Sequence, residues 1–466
     1  MRTTRRSGIA ARVLVPAVAV GLLAACGGGG TTGATGGGAA GGDKVDLAGV
    51  SADQLKGTTI RFARFFGDCE DTTKGVTDVA KAKTECETIQ ILTNAFNAEN
   101  KNGIKVERLG GAEWKSYYDS LNAAYAGGSA PDVAVMHGSS LTNYAKRGLL
   151  LKLDEHLAIT KADINDAVPS AKVAVTHEGG TYGLPFDVHG ALVHLNVDLF
   201  KKAGLVDAQG VPKMPSSPEE FLAQAEAINQ KTGKKYFGTA RVNDGLGVHM
   251  WRSLVQQQGK EVVSADGKTA AIDTPESRTA LDFMAKVFNG KYADPKQTYD
   301  SAQAAFLKGE TAMLMNGTWV VDEYARTAPF AHRVADFPTL YGTPAIWGDS
   351  HLWVVPKQKN ADPKKYRAAL EFASYLYENS GAWALKTGHI AARTSVLESP
   401  EYQKAPQRAN YSATGTTNAK QVPRVSNWQA VQDTMVKDIG SIWFQGTSVD
   451  EGLKNAQRNV STILAK

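Results

Sequence analysis

The chain has no long apolar run, no marked surplus of one charge and few cysteines. Its main apolar stretch, residues 13–25, has about 13 residues, fewer than the roughly 20 that a membrane-spanning helix needs. The chain has 52 basic and 47 acidic residues, and four of the basic ones precede this stretch, so the rest is nearly neutral. No cluster of lysine or arginine remains there, which argues against nucleic acid as a partner.

Catalytic motifs are also missing. A phosphate-binding loop needs a glycine five residues before Gly267, and that position is Val262. THEGGT, residues 176–181, begins like the helix of a zinc protease but lacks its second histidine. HGSSLT, residues 137–142, lacks the second glycine of a nucleophile elbow. We therefore expect a protein that is not an enzyme, with no catalytic residue, no cofactor and no bound metal.

The first 25 residues have the order of a signal peptide: arginines, an apolar core, then small residues. LAAC, residues 23–26, resembles the lipobox of bacterial lipoproteins, where cleavage leaves the cysteine carrying fatty acids such as palmitate. Two acyl chains hold a protein stably at a membrane surface. We therefore expect lipidation at Cys26 and an extracytoplasmic lipoprotein on the outer face of the cell membrane. A secreted protein cleaved near Ala25 is the alternative.

Residues 26–56 are predicted to form the lipidated cysteine and a linker. Residues 27–42 are rich in glycine and offer little apolar surface, so they are predicted to be disordered. Such a linker would let the folded body reorient without leaving the membrane.

Beyond Cys26 the chain has only Cys69 and Cys86. An even pair in an exported chain predicts a disulfide. A bridge closing this loop would stabilise the fold by about 3 kcal/mol in the chain-entropy model. Half of a metal site is the alternative, but it lacks a nearby histidine.

Short strand-like runs alternate with helical patterns from Thr58 onward, which is typical of an α/β fold. In the predicted helix 114–126, aromatic residues recur at helical spacing, so most of them are predicted to pack in the core. A capping residue followed by proline predicts the start of a helix, and this pattern occurs at Ser217, Thr274 and Asp362. The roughly 410 residues after the linker are too many for one usual core, so two lobes are expected.

Residues 271–325 carry the most specific pattern, AIDTPESRTALDFMAKVFNGKYADPKQTYDSAQAAFLKGETAMLMNGTWVVDEYA. This stretch resembles the middle of the family 1 extracellular solute-binding proteins, the maltose-binding-protein-like components of bacterial ABC sugar importers. The resemblance runs from about Thr58 to the C-terminus, with further matching stretches at 131–157, 182–205 and 388–396.

The resemblance implies a two-lobed periplasmic-binding-protein fold, in which each lobe is a mainly parallel sheet flanked by helices. Three hinge segments are expected near residues 187–191, 334–339 and 390–394. The predicted lobes are residues 57–188 plus 336–392 for the N-lobe and residues 189–335 plus 393–466 for the C-lobe. The resemblance also implies a monomer that captures a sugar between its lobes and delivers it to the permease subunits of the importer.

Trp319, in the NGTW turn, matches the tryptophan on which the family stacks sugars; a core tryptophan is the alternative. A sugar has apolar C–H faces and a rim of hydroxyls, so its site needs aromatic platforms and polar side chains. The other ligand-binding candidates are Phe66, Asp68, His137, Ser139, Asp187, His189, Trp251, Arg252, Asp349, His351, Arg393 and Trp428. Met136 and Ser139 replace the Trp and Asp of the maltose-type pattern, so maltodextrin specificity is not implied.

Some candidates have a structural alternative, since Trp251 can be a buried anchor and His189 a structural histidine. The expected ligand is a di- or oligosaccharide, with an α-glucoside favoured. Two other functions stay open. A lipid-anchored glycoside hydrolase would take its paired carboxylates from Asp68, Asp187 and Asp349. A binder of glycerol phosphate or another anion would use arginine and helix N-termini.

Overall fold

The computed structural model describes residues 45–110, 114–242 and 244–466. The predicted signal peptide, Cys26 and residues 27–42 of the linker lie outside these residues. Residues Asp43–Lys466 form one compact unit. The predicted disordered linker, residues 26–56, is therefore wrong for residues 45–56, because Leu47, Val50 and Leu55 are buried in a hydrophobic core and Ala52–Leu55 form a helix. Within the described residues, no helix is long and apolar enough to cross a membrane.

The chain forms fourteen described strands and seventeen described α-helices. The strands are β1 (Thr59–Ala63), β2 (Lys105–Leu109), β3 (Val133–His137), β4 (Thr176–His177), β5 (Gly180–Thr181), β6 (Leu184–Pro185), β7 (Asp187–Asn196), β8 (Lys235–Gly238), β9 (Thr311–Gly317), β10 (His332–Ala335), β11 (Ile346–Asp349), β12 (His351–Val354), β13 (Ile390–Ala391) and β14 (Ala419–Lys420). The helices are α1 (Ala52–Leu55), α2 (Glu85–Glu99), α3 (Trp114–Ala126), α4 (Gly138–Lys146), α5 (Pro169–Ala174), α6 (Val197–Ala203), α7 (Pro218–Thr232), α8 (Gly245–Gln257), α9 (Pro275–Val287), α10 (Tyr299–Leu307), α11 (Val321–Thr327), α12 (Pro363–Glu378), α13 (Ser380–Thr387), α14 (Thr394–Leu397), α15 (Pro400–Lys404), α16 (Trp428–Phe444) and α17 (Val449–Leu464).

The first lobe is built on a five-stranded sheet in the order β2-β1-β3-β12-β6. Strands β1, β2 and β3 run parallel, whereas β12 pairs antiparallel with β3 and β6. Helices α2, α12 and α13 pack on one another, and α2 and α12 also pack on this sheet. Its core includes Phe62, Trp353, Phe372 and Trp383, all buried.

The second lobe is built on a seven-stranded sheet around β7, whose ten residues are all buried. Strand β7 pairs antiparallel with β9, β10, β11 and β13, while β8–β9 and β11–β14 are parallel pairs. Helices α7, α8, α9, α16 and α17 surround a core that includes Phe221, Phe237 and Trp251.

The two-lobed α/β fold is confirmed, but the sheets are mixed and not mainly parallel. Strands β7 and β12 each follow a strand of the other sheet after one residue, and both pair antiparallel with their neighbours. Helices flank both sheets as expected.

The chain passes between the two sheets at three short segments, residues 186–189, 349–351 and 388–390, which we call the three passages. The first joins β6 to β7, and the second joins β11 to β12. The third leads from α13, which packs in the first lobe, to β13, which pairs with β7. The second hinge was expected near 334–339, yet the chain stays in the second lobe as far as β11, which pairs with β7. The predicted lobe boundaries as a whole stay a prediction.

Local sequence signals correctly predicted where the helices start. Helices α7, α9 and α12 begin at Pro218, Pro275 and Pro363, and the side chain of each preceding residue accepts a backbone hydrogen bond from the first turn. In α3, Tyr117 packs in the core as expected. Trp114 does not, since 51% of it is exposed.

Candidate functional site

The three passages bring a carboxylate and three histidines to one place. Asp187 and His189 lie in the first passage, His351 in the second and His389 in the third. All four are buried, and one possible ligand atom from each lies within 4.8 Å of the others. We call these residues the passage cluster. The structure thus brings together Asp187, His189 and His351 as the sequence predicts, and it adds His389.

Asp187 is the centre of the passage cluster, and both of its oxygens are hydrogen-bonded. Oδ1 lies 3.0 Å from His189 Nδ1 and 3.0 Å from the backbone nitrogen of His351. Oδ2 lies 2.7 Å from His351 Nδ1 and accepts a hydrogen bond of 2.8 Å from Trp383 Nε1. An ionised carboxylate can only accept, so both imidazoles donate from Nδ1. Asp187 therefore fixes the orientation of His189 and His351.

Burial and charge set the protonation of this cluster. Burial by itself would raise the pKa of Asp187, but the imidazoles of His351 and His389 and the hydrogen bond from His189 hold it well below its usual value. Burial lowers the pKa of His351, and it lowers the pKa of His389 to about 3. Burial, with the charge of Asp187, raises the pKa of Glu85 to about 8. At neutral pH the cluster thus holds an ionised Asp187 beside the neutral imidazoles of His351 and His389.

Two tryptophans of the second lobe line one side of the cluster. Trp319 follows β9 in a 3₁₀ turn, and its Nε1 donates a hydrogen bond of 2.7 Å to the hydroxyl of Tyr299. Its ring lies 6.2 Å from His189 and 6.3 Å from Trp347, at steep angles to both. Trp347 lies 5.9 Å from His189 and stacks on His249 at 4.2 Å. Both tryptophans are half-buried and held by their neighbours.

Aromatic residues of the first lobe line the other side. His137, at the end of β3, stacks on Phe65 at 5.1 Å and contacts Trp114 at 4.6 Å. Its Nδ1 lies 3.0 Å from the hydroxyl of Tyr118. The ring of His137 is 4.8 Å from that of His351, so this wall is continuous with the passage cluster. Burial lowers the pKa of His137 well below its usual value.

Asp349 and Ser139 join the two lobes beside this wall. Asp349 Oδ1 accepts hydrogen bonds from the backbone nitrogens of Ser139, at 3.1 Å, and Ser350, at 2.8 Å. Arg424 of the second lobe donates to the carbonyl oxygen of Gly138 at 3.2 Å. The first turn of α4 is therefore held against the second lobe.

Four predicted site residues are held by packing or by ion pairs. Trp251 is fully buried in the second-lobe core, which is the structural alternative for this residue. Arg252 is buried and lies over the ring of Trp428, which is itself buried. Arg393 forms an ion pair of 2.8 Å with Asp166 and donates to a backbone carbonyl. The structure explains these four side chains by packing and ion pairing.

The predicted site residues Phe66 and Asp68 lie in different surroundings. Phe66 is buried and contacts the rings of His351, at 5.2 Å, and Trp383, at 4.8 Å, behind the passage cluster. Asp68 is 67% exposed and forms an ion pair with Arg108 in a shallow groove at the edge of the first lobe. It lies next to Cys69, which is joined to Cys86 in a disulfide in this structure.

Three residues that the sequence analysis did not select belong to the site: Trp114, Trp347 and His389. Trp114 was assigned to an apolar helix face, and its exposure follows from its place at the first turn of α3. Trp347 and His389 lie within stretches that were recognised, next to Asp349 and ahead of Arg393. No local pattern distinguishes them, because only the folded chain places them beside His189.

The arrangement has aromatic faces from both lobes around hydrogen-bonding imidazoles and carboxylates. Such a site suits a neutral molecule with apolar faces and hydroxyls. It suits acid–base hydrolysis poorly at Asp187, since all its hydrogen-bonding directions are occupied and its pKa is low.

Comparisons with known proteins agree with the fold. Residues 92–410 match the model of a family described as bacterial extracellular solute-binding protein. The diacetylchitobiose binding protein DasA of Streptomyces coelicolor is 24% identical over 390 residues, covering 80% of this chain and 86% of that protein. The sn-glycerol-3-phosphate-binding periplasmic protein UgpB of Pectobacterium atrosepticum is 21% identical over 403 residues, covering 81% and 88%. The solved structure of the GacH receptor of Streptomyces glaucescens, which was also determined with acarbose, is 21% identical and has a TM-score of 0.74. That match covers 88% of this chain and 99% of GacH.

Proposed function

This chain belongs to the family of bacterial extracellular solute-binding proteins, and we propose that it captures a di- or oligosaccharide, preferably an α-glucoside, between its two lobes. It then delivers the sugar to the permease of an ABC importer. A relative that binds diacetylchitobiose supports a disaccharide, whereas a relative that binds sn-glycerol 3-phosphate supports the anionic alternative. The protein itself performs no catalysis in this role.

The pair Trp319 and Trp347 is the observation that carries the proposal. Their rings lie 6.3 Å apart and nearly perpendicular, next to the imidazole of His189. Two differently oriented platforms suit a molecule with more than one ring, since each pyranose offers an apolar C–H face. The Nε2 atoms of His189 and His351, whose Nδ1 atoms are held by Asp187, are proposed to hydrogen-bond the sugar hydroxyls.

Buried negative charge argues against the anionic alternative. Asp187 and Asp349 are both buried beside the aromatic walls. A phosphate brought there would be repelled by the Asp187 carboxylate and would lose its water. Two nearby cations are only partly engaged: Arg252 lies over Trp428 and Arg424 donates to backbone carbonyls, while Arg252 Nε and Nη1 and Arg424 Nη2 are buried without a hydrogen-bond partner. The anion is therefore kept as an outcome of the titration below.

The mature protein is proposed to be a monomeric lipoprotein, anchored through Cys26 to the outer face of the cell membrane. The lipobox-like stretch supports this anchor, and the glycine-rich linker gives the lobes freedom to reach a transporter. A disulfide between Cys69 and Cys86 fits the same oxidising compartment.

Sugar binding is proposed to be coupled to closure of the lobes about the three passages. Contacts that close around a ligand exclude water and strengthen its hydrogen bonds. Asn143 of the first lobe already donates a hydrogen bond of 2.7 Å to the carbonyl oxygen of Ser426 in the second. The closed form would present the surface that a permease distinguishes from the open one.

The test is a titration of the tryptophan fluorescence of the purified protein with maltose, trehalose, sucrose, cellobiose, raffinose and glycerol 3-phosphate. We expect a saturable change with at least one sugar, which a product assay then finds intact. Trp319→Ala should weaken binding at least about tenfold, because an aromatic platform contributes roughly 1.4 kcal/mol or more. Trp443→Phe, on the outer helix α16, is the matched control and should bind as the wild type does.

Three other outcomes would each contradict part of the proposal. Cleavage of the sugar would replace the proposal by the glycoside hydrolase. A response to glycerol 3-phosphate alone would replace the sugar by an anion. Sugar binding that Trp319→Ala leaves unchanged would move the site away from Trp319.

A further inference from the structure

The passage cluster has the composition of a metal site. Three imidazoles and one carboxylate, from Asp187, His189, His351 and His389, are buried together, with a ligand atom of each within 4.8 Å of the others. We propose that this cluster binds one divalent transition-metal ion of the Zn²⁺ type, which ties the three passages together. No local motif marks this site in the sequence, because the four ligands come from three distant segments.

The distances between the ligand atoms suit such an ion. Zn²⁺ with bonds of about 2.0–2.1 Å to nitrogen or oxygen in tetrahedral geometry separates its ligand atoms by about 3.4 Å. Here Asp187 Oδ2 lies 2.7 Å from His351 Nδ1 and 3.7 Å from His389 Nε2. Asp187 Oδ1 lies 3.0 Å from His189 Nδ1. Where Nδ1 of His189 or His351 binds the ion, the proton of that imidazole moves to Nε2, so the ring stays neutral. Side-chain shifts on the order of 1 Å would complete the shell.

His389 supplies an independent observation. Its Nε2 is buried and has no hydrogen-bond partner in the described structure. A buried polar atom without a partner is costly, and native structures rarely keep one without a reason. A metal ion beside Asp187 would satisfy this nitrogen. His389 Nδ1 is already held at 2.8 Å by the hydroxyl of Thr387, the kind of outer contact that orients a ligating imidazole.

The surrounding charges also suit a divalent cation. Asp187 provides one negative charge at the centre, and a Glu85 oxygen lies 3.5 Å from His389 Nε2. A cation bound at His389 Nε2 would be attracted to the Asp187 carboxylate. Trp383 Nε1 holds the outer side of Asp187.

The ion would act on the hinge, and this inference does not rest on sugar binding. Its ligands come from all three passages, so a bound ion restricts the relative motion of the lobes. It would also stabilise the fold by binding only the folded chain.

The experiment uses the purified protein without a polyhistidine tag, stripped with a chelator and dialysed against Zn²⁺ or Co²⁺. We expect about one equivalent of zinc per chain, a visible spectrum of four-coordinate Co²⁺ bound by nitrogen and oxygen, and a thermal midpoint that rises with free Zn²⁺. His389→Gln and His189→Gln should each weaken zinc binding at least about tenfold. His177→Gln, outside the cluster, should leave zinc binding unchanged.

The proposal is overturned if the wild-type protein keeps no stoichiometric zinc, or if both cluster variants bind zinc as the wild type does. X-ray absorption at the zinc edge of the wild-type protein decides the case even if a variant fails to fold. Three imidazoles around zinc would support the proposal, and fewer than two would overturn it. The sugar titration is scored separately, so loss of one proposal leaves the other standing.

Discussion

Replacing Asp187 by alanine is expected to destabilise the fold by about 3–5 kcal/mol, the usual effect of removing one partner from a buried charged network. The carboxylate accepts four hydrogen bonds, from His189 Nδ1, the backbone and Nδ1 of His351, and Trp383 Nε1. Each is worth about 1.5–3 kcal/mol, and the cost of burying the charge offsets part of their sum. Asp187→Asn keeps an oxygen for two of the four donors and turns an NH₂ toward the others, so a loss of roughly 2 kcal/mol is expected.

The assay is urea unfolding in the presence of a chelator, followed by circular dichroism and tryptophan fluorescence together, because coincident transitions are needed for a single unfolding free energy. Asp166→Ala is the matched control. Asp166 also accepts bonds from an arginine and a serine, at 2.8 Å and 2.6 Å, but it is partly exposed. Its loss should be about 1 kcal/mol. A loss below about 1 kcal/mol for Asp187→Ala, or a loss equal to that of Asp166→Ala, would refute the central role of Asp187.

Two further predictions concern acidity and reduction. Burial lowers the pKa of His249 to about 3 and that of His332 to about 4, so the unfolded chain takes up protons first as the pH falls below about 6.5. At pH 5 each histidine should have removed about 2 kcal/mol of stability relative to pH 7, and His249→Gln should lessen this dependence in thermal melts; a variant with the wild-type pH profile would contradict it. Reduction of the bond between Cys69 and Cys86, 17 residues apart, should lower the unfolding free energy by about 3 kcal/mol, and a Cys69→Ser/Cys86→Ser variant that no longer responds to reductant is the control. An unchanged melting curve of the wild-type protein under reductant would show that the bond does not form.

Much of the fold could be predicted from local chemistry. The capping residues before Pro218, Pro275 and Pro363 act within one turn of the chain. The helix starts predicted from the sequence therefore agree with those in the structure. The family resemblance of residues 271–325 also predicted the two-lobed architecture.

The direction of the strands could not be predicted in the same way. The sequences of β7 and β12 carry no signal of strand direction. Their antiparallel pairing becomes visible only in the folded sheets. The same holds for the second passage, which lies at Ser350 and not near 334–339.

Some residues of the candidate site could be predicted from the sequence, and others are found only in the structure. Composition, motif spacing and family resemblance determined the class of the protein and selected Trp319, Asp187, His189 and His351. Only the tertiary structure decided that Trp251 and Arg393 serve packing and ion pairing, and that Trp114, Trp347 and His389 lie at the site. The physical reason is that burial and mutual distance depend on residues far apart in the chain, whereas helix caps, disordered linkers and export signals depend on neighbours in sequence.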